Sequence, residues 1–576
     1  MIAMLPMVRK HKQAVLGICL VLLSLVLGLG CQLPVRLRTT LVATPASTAQ
    51  TSVTTVPTAT TQLQEATPTL TPAEAPTGAP VDIAVPGELR LYSPAAPETL
   101  DPAIVQDATS HRFVSLIFSG LVTLNSKLEV VPDLAERWDV DPSGTVYTFY
   151  LNKGAKFHNG QPVTARDIVY SIDRACDPKR GSVLRAQSYL DDIVGAKSRT
   201  TGEATSISGL KAVDDSTVEI TIDAPKPYFL AKLTYPTSYV VNQEEVEQAP
   251  ADWASQPIGT GPFKVEENGA DGMVLAAFGE YYRGRPQLDR VTFTYRGQSM
   301  NQYERGQLDV VEVGGDYIDR VLDPNEPLHS ELRIVPQLDV WYIGFNCTKP
   351  PFDDMHVRRA FAFATNKKAI AEIAMNKMVV PATGILPPGM PGYNANLKGL
   401  DYDPTTAVDE ITQSAYGDVS ELPPIVLTVT EAGSGDMLKE MYQQALGVEI
   451  QVEVVTWTEF LAGLDTRQYQ MFSLGWIGDY PDPQNFLDLL FHSVSVYNHQ
   501  GYSSPEVDAL LEKARVERDT NTRLGLYQEV ESRLVQDAPW VPVYHSGGYY
   551  LVKPYVKNLE ISAQDTLNLH EVTIER

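Results

Sequence analysis

The chain has 576 residues, a formal net charge of −25, 43% hydrophobic and 20% charged residues, and four cysteines. The acidic excess argues against nucleic acid or anionic lipid as partners, since both require a basic surface. The length and ordinary globular composition allow two or three domains, and the cysteine count, with no CxxC, excludes a disulfide framework.

Taken from the start, residues 1–30 read as a secretory signal peptide. Arg9, Lys10 and Lys12 form a basic segment and Ala14 to Leu29 an apolar one, too short for an ordinary membrane span. Its removal takes the formal charge from −25 to −28. The apolar run ends in Gly30-Cys31, which resembles a bacterial lipobox and implies a lipidated Cys31 at the mature N-terminus. Simple cleavage nearby and a retained anchor are the alternatives. Residues 31–85 then read as a lipid-anchored, Thr/Pro-rich disordered linker. Over 39–80 it has 14 Thr, 6 Pro and no aromatic residue, too little apolar surface to offset the entropy of ordering. Cys176 and Cys347 are the thiols of the mature body, free to pair or to remain two buried thiols.

Folded sequence begins at Pro86. Leu134–Trp138 reads as the end of a helix, Asp141-Pro142-Ser143-Gly144 as a turn, and Thr145–Leu151 as a β-branched and aromatic strand. Thr164 caps a helix with Asp167 as its box partner and Ile168, Ile172 and Ala175 inward. Asp214–Ile222, Met273–Phe278 and Arg290–Tyr295 read as strands, and Ile425–Val429 and Val448–Val455 as strands around the helix Asp436–Leu446. Two amphipathic helices follow, on Val507, Leu510, Leu511 and Ala514 and on Leu526, Tyr527, Val530 and Leu534.

The densest chemistry lies in Gly475-Trp476-Ile477-Gly478-Asp479-Tyr480-Pro481-Asp482-Pro483. The prolines exclude a helix interior and the glycines allow close backbone approach. The stretch reads as a rigid loop leaving a strand Tyr469–Leu474 and presenting Trp476, Asp479 and Tyr480. A carboxylate among aromatics suits a cationic head; the plainer reading is a capped turn with a core Trp. No HExxH, G-x-S-x-G or phosphate loop is present, and Ala432-Gly433-Ser434-Gly435 fails the second pattern. The acidic pair Asp479 and Asp482 is the single feature that supports a secreted hydrolase. His492 and His499 near Asp482 and Asp488 lack a standard zinc spacing, so no metal and no cofactor is expected. Asn346-Cys347-Thr348 matches a glycosylation sequon by chance.

Residues 134–178, LAERWDVDPSGTVYTFYLNKGAKFHNGQPVTARDIVYSIDRACDP, resemble the signature region of family 5 extracellular solute-binding proteins, the dipeptide, oligopeptide and nickel receptors of ABC importers. Thr99-Leu100-Asp101-Pro102, the GTGP loop at 257–263, the stretch 345–370, the segment from Trp476 to Phe486 and the run from Trp540 to Tyr544 match further motifs in order. The resemblance, over about 88–576, implies an α/β, two-lobe periplasmic-binding-protein-like fold (type II, class C) with an extra small α/β subdomain in the first lobe. Lobe I is expected at 86–124, 257–344 and 543–576, the subdomain at 125–256 and lobe II at 345–542. Hinge strands fall near 341–346 and 540–545, where Trp341, Tyr342, Trp540 and Tyr544 either pack or meet ligand.

The resemblance further implies a monomeric, extracytoplasmic receptor, lipid-anchored to the cell membrane, that closes on a peptide and delivers it to permease and ATPase subunits. Asp479 pairs with the ligand's α-ammonium, Trp476 forms a pocket wall, Tyr480 lies beside it, and the backbone of Gly475, Trp476 and Ile477 pairs with an extended peptide. Oligosaccharide, nickel chelate and other small solutes are the competing ligands. For the ligand's carboxylate end, Arg467 lies close to the loop in sequence and Arg359 sits in the mid-chain motif, each with an ordinary surface role as alternative.

Overall fold

The chain places its apolar residues for strands covered on both faces. In β1 (Glu88–Tyr92) Leu89, Arg90 and Leu91 are all buried, as befits a central parallel strand. Arg90 is tolerated there because its guanidinium meets the fully buried Asp309 at 2.7 Å. The computed structural model describes residues 85–576 except Gln106, Gly181, Ser182 and Asp565. The signal peptide, Cys31 and all but the last residue of the expected linker lie outside the described residues.

After β1 comes a hairpin, β2 (Val122–Leu124) and β3 (Val130–Pro132). A four-stranded antiparallel sheet follows: β4 (Ala135–Val140), β5 (Val146–Leu151), β6 (Leu210–Asp214) and β7 (Thr217–Thr221), in the order β4-β5-β7-β6. Next are β8 (Phe263–Gly269), β9 (Gly272–Ala277), β10 (Arg290–Thr294), β11 (Val310–Glu312) and β12 (Leu332–Pro336). Then come β13 (Asp339–Phe345), β14 (Val379–Pro381), β15 (Ile425–Val429), β16 (Ile450–Val454), β17 (Met471–Ile477) and β18 (Trp540–Val552). One sheet runs β16-β15-β17-β13-β18-β11-β1-β10-β9-β8, with β12 and β14 also on β18. It has a parallel core at each end: β10, β1 and β11 on one side, β16, β15 and β17 on the other. Each core is covered by its own apolar cluster, the first with Phe113, Phe263 and Phe293, the second with Phe361, Leu427 and Tyr442.

The βαβ unit around 425–454 forms as the periodicity indicates, with Ile425 paired in parallel to Ile450. The capping box also forms: Thr164 donates its backbone N–H to Asp167 Oδ2 at 2.8 Å, and Ile168, Ile172 and Ala175 are fully buried. Three expectations change. Leu134–Trp138 ends no helix; Ala135–Val140 is β4. Cross-strand pairing of Trp138 with Phe149 and the Arg137 guanidinium 3.5 Å from the Tyr150 ring centroid outweigh the local preference of Leu-Ala-Glu-Arg for helix. Asp214–Ile222 is the turn and second strand of a hairpin, because Asp214 accepts from the Ser216 N–H at 2.7 Å and closes a turn. The strand before the Asp479 loop runs on through Gly475, Trp476 and Ile477, because β13 pairs with it as far as Asp339 opposite Ile477.

The GTGP loop has a packing reason. A Cβ on Gly259 would lie 1.9 Å from the Ile117 carbonyl oxygen, and Gly261 N donates to that oxygen at 2.8 Å. Only glycine lets this loop lie on the end of the helix Ala108–Ile117.

A buried acid in the second half of the chain has a measurable consequence. Glu531, on the helix Thr520–Asp537, is 1% exposed, and its Oε1 accepts from the N–H groups of Ile385 and Leu386 at 2.8 Å each. Burial outweighs these bonds and pushes its carboxyl up from 4.5 to about 7. The folded state therefore holds this proton more tightly than the unfolded chain. The resulting stability is present below about pH 4.5 and is lost as pH rises through about 7. Denaturation midpoints compared between wild type and Glu531→Gln across that window are expected to diverge, wild type losing up to about 3 kcal/mol more; parallel curves would refute this.

Candidate functional site

Strand β18 joins the two halves of the sheet. Its first part pairs with β13 and its last part with β11 and β12. The change of partner is pinned by Asp339, whose Oδ1 accepts from Ser546 N and whose carbonyl meets His545 Nδ1, both at 2.7 Å. Gly547 and Gly548 follow directly, a strand-interior pair of the kind that marks a bend. The four aromatics here divide by burial. Tyr342 stacks on Trp540 at 3.3 Å and both are core, whereas Trp341 stacks on Tyr544 at 5.9 Å and is 40% exposed.

Trp341 is opposite Gly475 in the β13–β17 pairing, and Asp339 opposite Ile477, so these side chains share one face. A Cβ on Gly475 would sit 2.9 Å from the Trp341 indole. Glycine at 475 therefore seats the indole over β17, with Ile477 beside it 48% exposed. The result is an open apolar platform of Trp341, Tyr544 and Ile477.

Beyond Ile477 the chain turns under three constraints. Gly478 N donates to the Leu338 carbonyl at 2.7 Å, and its own carbonyl accepts from Gln564 Nε2 at 2.9 Å. Asn485, fully buried, organises the rest. Its Oδ1 accepts from Trp476 Nε1 at 3.0 Å and from Asp479 N at 3.1 Å, and its Nδ2 donates to Asp479 Oδ2 at 3.1 Å. One amide thus fixes both the indole and the carboxylate. Trp476 also meets the Tyr497 ring edge-on at 5.8 Å. Tyr480 is different: it is 0% exposed, its phenol donates to Gln484 Oε1, and its ring meets Tyr189 edge-on at 6.2 Å. Its side chain offers no surface to solvent. Asp482 caps the next turn at Gln484 N and is held by Arg523 at 3.0 and 2.7 Å, both side chains below 10% exposed.

Asp479 is half-buried and lines a polar cavity of about 220 Å³ that also presents His111, Ser115, Asp133, Arg283 and Gln564. Burial pushes the Asp133 carboxyl up to about 6, against the Tyr282 hydroxyl and the Arg283 guanidinium 3.7 Å away. A second cavity of about 280 Å³ opens at the carboxyl ends of the parallel strands β1 and β11, among Tyr92, Arg112, Glu312, Gly314 and Tyr550. Both cavities are lined by Leu567. Crevices outside the carboxyl ends of parallel strands are the usual ligand sites of α/β sheets.

Sequence reading missed Arg283 and Arg112, which stand in no distinctive local pattern, and the clamping role of Asn485, although Asn485 lies inside the segment from Trp476 to Phe486; for Trp341 it left packing and ligand contact both open. The two arginines it did consider are engaged elsewhere. Arg467 donates to the Asn498 carbonyl at 3.1 Å, and Arg359 to Glu410 at 2.8 Å. The His and Asp residues after the loop have partners of their own: Asp488 pairs with Arg515 at 2.6 Å, His492 faces Glu512 at 3.4 Å and His499 faces Asp465 at 3.8 Å. The Asn346 amide is fully buried and bonded to the Arg467 and Tyr469 carbonyls, which closes the sequon to glycosylation. Cys176 and Cys347 are both free thiols.

The family model for bacterial extracellular solute-binding proteins, family 5 Middle, matches residues 129–498, well over half of the chain. The chain belongs to this family. As a family 5 solute-binding protein it is an extracytoplasmic transport receptor with the two-lobe periplasmic-binding-protein-like fold, and not an enzyme. The receptor is 28% identical to the dipeptide-binding protein DppE of Bacillus subtilis, over 82% of this chain and 90% of that one. It is 29% identical to the probable deoxycholate-binding periplasmic protein YgiS of Escherichia coli, over 84% and 93%. The solved murein tripeptide binding protein MppA of Escherichia coli superposes on the receptor with a TM-score of 0.74 at 26% identity, covering 85% of this chain and 98% of that one.

Proposed function

We propose that this receptor captures peptides with a free α-amino group, closes its lobes around them and delivers them to the permease and ATPase of an ABC importer. The observation that carries the reading is the Asp479 carboxylate, held by Asn485 at the wall of a polar cavity. A carboxylate so placed gains from an ammonium that brings its own hydrogen bonds. The backbone of Gly475, Trp476 and Ile477 belongs to β17, where an extended ligand can lie beside the sheet.

Closure turns on β18 just past the expected 540–545 crossing, where it changes partners from β13 and β14 to β12, at Ser546–Gly548. Lobe I at 86–124, 257–344 and 543–576, its subdomain at 125–256 and lobe II at 345–542 remain the working division. The ligand drives closure by its excess affinity for the closed state. The receptor acts as a monomer, tethered through a lipidated Cys31 and the Thr/Pro-rich linker.

A second reading rests on the platform of exposed Trp341 and Ile477 beside the half-buried Tyr544, which suits a flat apolar solute such as a bile-acid-like molecule. Mass spectrometry of small molecules released from the purified receptor by mild denaturation separates the two. A mixture of short peptides is expected. A steroid acid or other non-peptide solute as the sole occupant would overturn the peptide reading and leave the fold and closure in place.

A further inference from the structure

A third cavity, of about 270 Å³, lies away from the platform, between the subdomain and lobe II. The subdomain contributes Asp191, Asp192, Lys197, Lys226 and Lys232; lobe II contributes Gln484, Asp488, His492, Val494, Val496 and Arg515. Most charges here are already matched. Asp192 is held by Lys226 Nζ at 2.5 Å and Lys232 Nζ at 2.7 Å, and Asp488 by two arginine nitrogens of Arg515 at 2.6 Å each. Lys197 is exposed to water.

Asp191 is the exception. Its Oδ1 is sealed from solvent and meets no hydrogen-bond donor among the described residues. An acceptor left in this state is destabilising, and more so when charged. Burial also pushes its carboxyl up to about 6, with the surrounding lysines only partly offsetting it. Among the polar and charged residues of the other wall, two aliphatic side chains are open to solvent: Val494 is 81% exposed and Val496 56%. A carboxylate and an exposed aliphatic rim on one cavity are together complementary to an alkyl chain ending in a cation.

We propose that this cavity is a binding site for an alkylguanidinium or alkylammonium group, which pairs with Asp191 and lays its methylenes on Val494 and Val496. The site bridges the subdomain and lobe II, so its occupant favours the closed arrangement of the two. It also adjoins the Asp479 loop by two routes. Gln484 on its wall accepts from the Tyr480 phenol, and Tyr497 on its wall packs against Trp476. The basic group can come from a side chain of the ligand held at Asp479 or from a separate small solute. The site itself does not depend on that ligand being a peptide.

Calorimetry on the intact receptor distinguishes these sources. The probes are n-butylguanidine, its neutral isostere n-butylurea, trialanine and Ala-Arg-Ala, each against wild type, Asp191→Asn, and Val494→Ser with Val496→Ser. Binding of n-butylguanidine but not n-butylurea, weakened tenfold or more by Asp191→Asn and several-fold by the rim variant, identifies a site for a free basic solute. Binding of Ala-Arg-Ala at least tenfold tighter than trialanine, with that gain erased by Asp191→Asn, identifies a subsite for a basic side chain. The rim variant changes only exposed residues, so it tests the site even if Asp191→Asn fails to fold. The proposal is overturned if n-butylguanidine shows no charge-dependent binding and the arginine peptide gains nothing over trialanine, as for a cavity that holds water only. Failure of trialanine to bind counts against the peptide reading alone, and the n-butylguanidine result then decides this site.

Discussion

Replacing Asp479 with alanine or asparagine lowers affinity for peptides with a free α-amino group about a hundredfold or more. The cost arises on the ligand's side: an ammonium enclosed by closed lobes without its counter-ion is an uncompensated buried charge, worth about 3–5 kcal/mol. The fold is expected to survive, because Asp479 is half-buried and its Asn485 contacts sit at the end of a strand held by β13. Calorimetry with a peptide and its N-acetylated form reads the effect. Wild type should strongly prefer the free amine, and the variant should bind both equally weakly. An unchanged affinity in Asp479→Ala would remove the α-ammonium role from this residue.

Three residues downstream, Arg523→Leu is expected to destabilise the protein by about 3–5 kcal/mol. It strands Asp482 in a site where both side chains are below 10% exposed. The double variant Asp482→Leu with Arg523→Leu should recover much of the loss, since an apolar pair no longer leaves a charge unpaired. The same geometry separates the two acids that local sequence groups together. Asp482 is a structural anion bound by Arg523 and by the backbone of Gln484, while Asp479 faces a cavity. Chemical denaturation of the three variants measures this. Additive losses in the double variant would show that the pair contributes no coupling.

Local chemistry was largely legible. Thr164 and Asp167 announce a helix start because a capping box needs only residues three apart. The strand–helix–strand pattern at 425–454 announces a βαβ unit because two parallel strands need a crossover, here a helix that covers the sheet. Local reading failed where a distant partner decided the conformation. Leu134–Trp138 became strand through pairing with Phe149 and its neighbours, and β17 lengthened to Ile477 because Asp339 lies opposite.

The site divides the same way. Sequence determined that a carboxylate, an indole and two tight glycines stand together after a strand, because covalent neighbours stay neighbours. It determined the family too, through ordered motifs whose glycines and prolines answer fixed backbone needs, as Gly259 does against Ile117. Only tertiary structure decided that Asn485 clamps Trp476 and Asp479, that Trp341 rests over Gly475 while Tyr342 is core, and that Tyr480 is sealed. Only it brought Arg283 and Asp133 to the cavity that Asp479 lines. The reason is physical: these placements depend on side-chain packing and hydrogen bonds across sheet and loop contacts, many between residues a hundred or more positions apart, and no local period or propensity encodes which far segment will supply the partner.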